Sequence, residues 1–155
     1  MTKLDDLDRA IIAVMQENAR LTNGEIATLV KSTEPTVRRR VERLVRDQVI
    51  KIVAVAAPFQ LGYTVIAILG IQLDRAYLHQ IEQALLAMTE IRFAGVTLGA
   101  YDLVAEAWFR SNEELLTFLT EKLSRIPGIQ RTESLQVLKM VKYAYDWGTQ
   151  PSARL

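Results

Sequence analysis

The side chains best suited to chemistry in this chain are five arginines within Thr36-Val37-Arg38-Arg39-Arg40-Val41-Glu42-Arg43-Leu44-Val45-Arg46. At helical spacing Val37, Val41, Leu44 and Val45 share one apolar stripe centred near Val41. Arg39, Arg43 and Arg46 then point away from it, with Thr36 close by, while Arg38 and Arg40 lie on opposite flanks. An outward guanidinium near the start of such a helix can donate bidentately to guanine O6 and N7, and a flanking one suits a phosphate. Lys51, just beyond, is a further phosphate candidate. From Lys31 to Lys51 seven basic residues stand against Glu34, Glu42 and Asp47, a net +4 in a chain that totals +1. The plain reading of such a run is a solvated basic face. Its setting behind a second short helix favours a surface that meets double-stranded DNA.

A second group of candidates is the turn Gly99-Ala100-Tyr101-Asp102, in which glycine supplies a positive φ and the carboxylate accepts local N–H groups. His79, the single histidine, lies one turn after Arg75 and three residues before Glu82, on a helix face expected to be solvated. With no nucleophile or ligand cluster beside it, it supports neither catalysis nor a metal site, and nothing implies a cofactor. Trp108 and Phe109 on a strand, and Tyr143, Tyr145 and Trp147 on or after one, read as packing residues rather than as a platform for bases.

These groups must be held by an ordinary folded chain: half of its 155 residues are hydrophobic and 24% are charged, the profile of a globular protein. The absence of cysteine excludes disulfides and thiolate metal sites and fits a reducing compartment. The stretch Met1 to Asp6 is acidic and lacks the apolar core of a signal peptide. Val65 to Ile71 is interrupted by Gly70 and far too short to span a bilayer. A cytoplasmic protein without a membrane partner is expected.

The stretch 1–50 reads as three short helices. Leu4, Leu7, Ile11, Ile12 and Met15 follow helical spacing up to Asn18-Ala19-Arg20. Thr22 and Glu25 have capping-box form, and a helix with Ile26, Ala27, Leu29 and Val30 follows. Thr33-Glu34-Pro35 starts the arginine helix with a capping hydroxyl, an acid for the dipole and a proline in the first turn. Two helices separated by Lys31-Ser32 form a helix-turn-helix. Val49 to Ala57 is β-branched and apolar, a linker strand closed by Pro58.

The remainder contains an internal repeat. At one constant offset Leu78, Ile81, Leu85, Met88 and Ile91 superpose on Leu116, Leu119, Leu123, Ile126 and Ile129. Each half reads strand, helix, strand: 63–73, 75–88 and 91–98, then 102–109, 112–125 and 129–145. Asp74 and Ser111 stand at cap positions, and Ser111 with Glu114 has capping-box form. The fold class is therefore α+β, a helix-turn-helix domain followed by a ferredoxin-like βαββαβ domain whose middle two strands are joined by the Gly99–Asp102 turn. The boundaries expected are 1–50, a linker at 51–60, the ferredoxin-like domain at 61–147 and a tail at 148–155. Strand 63–73 is apolar at both parities, with Val65, Ala67, Leu69 and Ile71 on one side and Ile66 and Ile68 on the other. Burying each Val or Ile is worth about 1.5–3 kcal/mol, and no element is left to cover the second face. A homodimer through these sheets is expected.

Leu4-Asp5-x-x-Asp8-x-x-Ile11-Ile12, Asn18-Ala19-Arg20, Thr36-Val37-x-x-Arg40-Val41-x-x-Leu44, Val49-Ile50, Leu61-Gly62 and Gly99-Ala100-Tyr101-Asp102, in this order and spacing, resemble the Lrp/AsnC family of prokaryotic transcription regulators. The resemblance covers nearly the whole chain. It implies a winged or plain helix-turn-helix, a linker strand and a ferredoxin-like effector domain, with dimers often assembled into octamers and an amino acid or related metabolite bound between subunits. In that setting the Gly99–Asp102 loop lines the effector cleft, where Asp102 receives an ammonium group and backbone N–H groups hold a carboxylate. Thr132 and Ser134 match positions that complete such a site from a neighbouring subunit. Three residues depart from the family pattern. Lys31 replaces a glycine whose positive φ the turn requires, Gln48 replaces a second glycine, and Leu98 replaces the threonine before the Gly-x-Tyr-Asp turn. Two competing functions share the architecture. Sirohaem decarboxylases resemble this family but carry His, Tyr and Arg at the turn, where this chain keeps Gly99, Tyr101 and Asp102. A co-regulator without DNA binding would have no use for Arg39, Arg43 and Arg46.

Overall fold

The computed structural model describes residues 3–143. Three helices, α1 (Asp6–Glu17), α2 (Asn23–Leu29) and α3 (Glu34–Arg46), occupy the first unit. Two aspartates start α1: the Asp5 carboxylate accepts the Asp8 N–H at 2.9 Å and Asp8 accepts that of Asp5 at 3.2 Å. The expected Thr22–Glu25 box starts α2, with Glu25 accepting from the Thr22 N–H at 2.7 Å. That bond holds the Glu25 carboxyl below its ordinary pKa. Thr33 does not cap α3 as expected. Its hydroxyl donates to Thr36 Oγ1 at 2.9 Å instead, and Pro35 and Glu34 begin the helix.

Ile11, Ile26, Ala27, Val37 and Leu44 form the core of this unit, with Val41 partly buried against it. Val45, assigned to the same stripe, is 41% exposed. Helices α1 and α2 cover a sector of α3 centred between Val37 and Leu44, and Val45 falls outside its edge. Lys31 and Gln48 have φ of 52° and 57°, so the two positions at which this chain departs from glycine are the two left-handed non-glycine residues among those described.

Residues 50–57 form neither helix nor strand, and Ile52, Val53 and Val55 are exposed. The expected linker strand is thus a β-competent segment without a ladder partner among the described residues. The chain divides near this point, one unit reaching Val55 and the other running from Ala56 to Val141.

The second unit contains β1 (Val65–Leu73), α4 (Leu78–Leu86), β2 (Ile91–Val96), β3 (Leu103–Phe109), α5 (Asn112–Thr117) and β4 (Ile129–Gln136). The sheet is antiparallel in the order β2-β3-β1-β4, the ferredoxin-like arrangement. The Gly99–Asp102 loop consequently joins edge strand β2 to central β3, not two central strands. A 3₁₀ turn, Arg75–Tyr77, precedes α4, and Asp74 caps it through the Ala76 N–H at 3.0 Å. Ser111 caps α5, but Glu114 reaches the Arg110 N–H at 2.8 Å rather than that of Ser111, so only half the expected box forms. Strand β4 stops at Gln136, and the rest of its expected length to Tyr145 falls partly outside the described residues, as do Trp147 and the tail at 148–155.

The internal repeat holds except at its first pair. Leu78, Ile81, Leu85, Met88 and Ile91 pack in or against the core, as do Leu119, Leu123, Ile126 and Ile129, but Leu116 is exposed and Leu115 packs inward. The cause is a π-helical turn, Phe118–Lys122, which follows α5. Its extra residue rotates the preceding turn by about 100° relative to the repeat.

Val65, Ala67, Leu69, Ile71 and Leu73 of β1 lie in the core with both helices. On the other face Ile66 is 3% exposed, covered within the chain more than expected. Trp108 pairs with Ile66 across the ladder, and Phe59, in the 3₁₀ turn Pro58–Leu61, packs on the indole with ring centroids 5.7 Å apart. The Tyr101 ring covers Gly70, where an added Cβ would lie 2.7 Å from it. Beyond these, Leu135 and Phe93 remain 65% and 59% exposed.

Candidate functional sites

Helix α1 decides which arginines of α3 are free. The Asp8 side chain is fully buried, a position in which a carboxylate must be paired. Arg43 reaches it through Nη2 at 2.5 Å, and Arg40 bonds Asp8 at 3.1 Å and Asp5 at 2.6 Å. The Asp8 N–H and the Arg40 guanidinium hold the Asp5 carboxyl below its ordinary pKa, and bonding to Asp5 and then Asp8 raises that of Arg40. Arg43 Nε is buried and has no hydrogen-bond partner among the described residues. Arg43 therefore does not point outward as helical spacing suggests. Its long side chain bends back to α1 because the buried charge there attracts it, and Arg40 is drawn the same way.

The open surface of α3 carries Arg38, Arg39 and Arg46, all exposed, with Thr36 half-buried at its margin. Arg46 Nε bonds Asp47 at 3.2 Å. Arg38 and Arg39 have no ion pair or hydrogen bond among the described residues. Lys51 is exposed on the extended segment after the helix. Of the seven basic or polar side chains expected at DNA, five stay on accessible surface, Arg46 among them despite its bond to Asp47, and two are committed to the aspartates of α1. The signal for that commitment was present as Asp5-x-x-Asp8, an acidic capping pair beside a basic helix.

In the second unit, Leu98 is fully exposed and Gly99 has φ 142°, the conformation that requires glycine there. The Thr97 N–H donates to the Asp102 carbonyl at 2.9 Å, and the Thr97 hydroxyl to that of Tyr101 at 2.7 Å. Tyr101 donates its hydroxyl to Glu133, and that bond, followed by burial, raises the phenol pKa. The Asp102 carboxylate accepts the Leu73 N–H at 3.1 Å and pairs with Arg75 at 3.1 Å. These two partners hold its carboxyl below the ordinary value. Arg75, which sequence reasoning passed over, keeps a largely exposed guanidinium beside the carboxylate. Asp102 and Arg75 together offer adjacent negative and positive groups.

Thr132 and Ser134 pair with Ile71 and Leu69 on the helix-covered face of β4. Glu133 pairs with Gly70 on the opposite face, where Tyr101 lies. One chain therefore does not bring Thr132 and Ser134 together with the Tyr101 side chain. His79 is solvated as expected, 3.7 Å from Glu82, at the rim of an open groove of about 400 Å³ between α4 and β2. No helix among the described residues is long and apolar enough to cross a membrane.

Residues 4–45 match the AsnC-type helix-turn-helix domain, and residues 66–147 match the Lrp/AsnC ligand binding domain. An uncharacterised HTH-type transcriptional regulator of Pyrococcus abyssi is 35% identical over 144 residues, 92% of this chain and 91% of that protein. Among solved structures, Escherichia coli AsnC superposes with a TM-score of 0.86 at 30% identity, covering 92% of this chain and 97% of that one. A transcriptional regulator from Neisseria meningitidis, solved as a complex with L-Met, has the same fold with a TM-score of 0.86 at 23% identity, covering 92% and 95%. With both of its domains matched and its likeness to the Pyrococcus regulator running along nearly its full length, the chain belongs to the Lrp/AsnC family of HTH-type transcriptional regulators.

Proposed function

We propose that this regulator acts in the cytoplasm as a homodimer that binds a two-site DNA operator and responds to an amino acid or a closely related metabolite. The observation that carries the DNA half is the open surface of α3, where Arg38 and Arg39 lack partners among the described residues although two other arginines of the same helix pair with Asp5 and Asp8. Guanidinium groups left free on a recognition helix suit guanine edges and phosphates. Lys51 and Arg46 extend the same basic surface.

The effector half rests on the loop after β2. The paired charges of Asp102 and Arg75 complement a zwitterion, the carboxylate accepting an ammonium and the guanidinium a carboxylate, while Leu98 and Tyr101 border the site. Thr132 and Ser134 join from a neighbouring subunit. The L-Met bound to the Neisseria regulator makes amino acids the first ligands to try. Dimerisation is supported by Leu135 and Phe93 on the open sheet face and by unpaired segment 50–57; octamers assemble from such dimers. A difference in effector affinity between assembly states shifts DNA affinity through a coupling of about 1–3 kcal/mol.

A thermal-shift panel of the amino acids and common keto acids, with DNA affinity and sedimentation measured on each hit, tests this function. At least one compound should raise the melting temperature and change DNA affinity about 5- to 150-fold. Asp102→Asn should abolish that response without altering DNA binding in the absence of effector. A panel without hits, or a response that survives in Asp102→Asn, contradicts the effector assignment.

A further inference from the structure

We propose that Glu42 reads a base in the operator by accepting a hydrogen bond from an exocyclic amino group, cytosine N4 or adenine N6. This rests on the DNA-binding reading of α3. At about 100° per residue, Arg38, Glu42, Arg46 and Arg39 lie about 100°, 140°, 180° and 200° from buried Val37. Glu42 is therefore in the middle of the open surface. Three arginines stand within its reach, at i−4, i−3 and i+4.

None of them pairs with it. A glutamate four residues before an arginine is the favourable orientation for a helical ion pair, yet Arg46 bonds Asp47 instead. Arg38 and Arg39 bond nothing among the described residues, and neither does Glu42. The other acids packed around this helix are committed: Asp5 and Asp8 hold Arg40 and Arg43. An ionised carboxylate is thus kept free at the centre of a surface turned to a polyanion.

Against phosphate such a group repels at every sequence. In the major groove it has two kinds of partner, because an ionised carboxylate only accepts hydrogen bonds and the amino groups of cytosine and adenine are the donors there. The flanking guanidiniums add the complementary half. A C·G pair sets the cytosine amino donor beside guanine O6 and N7, and an A·T pair sets the adenine amino donor beside N7 and the thymine O4. A carboxylate among arginines matches donor and acceptors in one pair.

The test uses the full chain, wild type and Glu42→Ala, in selection from a randomised duplex pool, followed by affinity measurement on the selected sites. Wild type should enrich one amino-bearing base at one position per half-site, and Glu42→Ala should lose about tenfold discrimination at that position alone. Replacing the selected base by 2-pyrimidinone for cytosine, or purine for adenine, removes the amino group and identifies which base is read. Only the wild type should lose affinity on that replacement. Uniformly tighter binding of Glu42→Ala to all sequences, with its selected site unchanged, overturns the proposal and leaves DNA binding intact. A wild-type chain that selects no sequence overturns both readings together.

Discussion

At the scale of single residues, strain and charge pairing explain what the arginine run concealed. Lys31 and Gln48 occupy left-handed backbone that glycine adopts freely. Replacing either by glycine removes a Cβ clash but loosens the unfolded chain, so each of Lys31→Gly and Gln48→Gly should raise stability by about 0.5–1 kcal/mol in urea unfolding. Both positions were marked beforehand by the family resemblance, which carries glycine at each. The fate of Arg40 and Arg43 was not, because helical spacing gives a direction for Cβ while a guanidinium reaches several ångströms beyond it. Asp8 holds both. Asp8→Ala should therefore cost about 2–4 kcal/mol, somewhat less than a wholly buried pair since both arginines keep partial contact with water. It should free Arg43 rather than remove a DNA contact, so thermal unfolding should shift strongly while DNA affinity at low temperature falls little.

At the scale of elements, hydrophobic spacing located β1 to β4, α4 and α5, though it ran the last strand past Gln136 and read no helical turn at Pro58–Leu61, and the internal repeat exposed the βαββαβ order. It could not register the π-turn at Phe118–Lys122, since one extra residue leaves composition and spacing on both sides plausible. It also missed the coverage of the second sheet face by Phe59 and Tyr101, which depends on loop geometry rather than periodicity. Gly70 is the element-scale test. A methyl there meets the Tyr101 ring at 2.7 Å, so Gly70→Ala should push the tyrosine from the sheet and break its bond to Glu133. Effector affinity, measured by calorimetry, should fall about tenfold, with a stability loss of about 1–3 kcal/mol from overpacking. Unchanged affinity would detach Tyr101 from the site.

At the scale of the whole molecule, a chain with net charge +1 binds a polyanion by distribution of charge rather than by its total. The +4 segment was readable from the sequence. Its division into arginines left on open surface and arginines turned to the aspartates of α1 was a property of two helices at once. The most direct measurement is the salt dependence of DNA affinity for the full chain and its variants, followed by fluorescence anisotropy. Each phosphate neutralised contributes about −0.9 to the slope of log affinity against log salt. Arg38→Ala and Arg39→Ala should each flatten that slope by about one unit for each phosphate no longer neutralised, and Arg40→Ala should leave it unchanged. A steep slope that survives in Arg38→Ala/Arg39→Ala, or one that flattens in Arg40→Ala alone, contradicts the account.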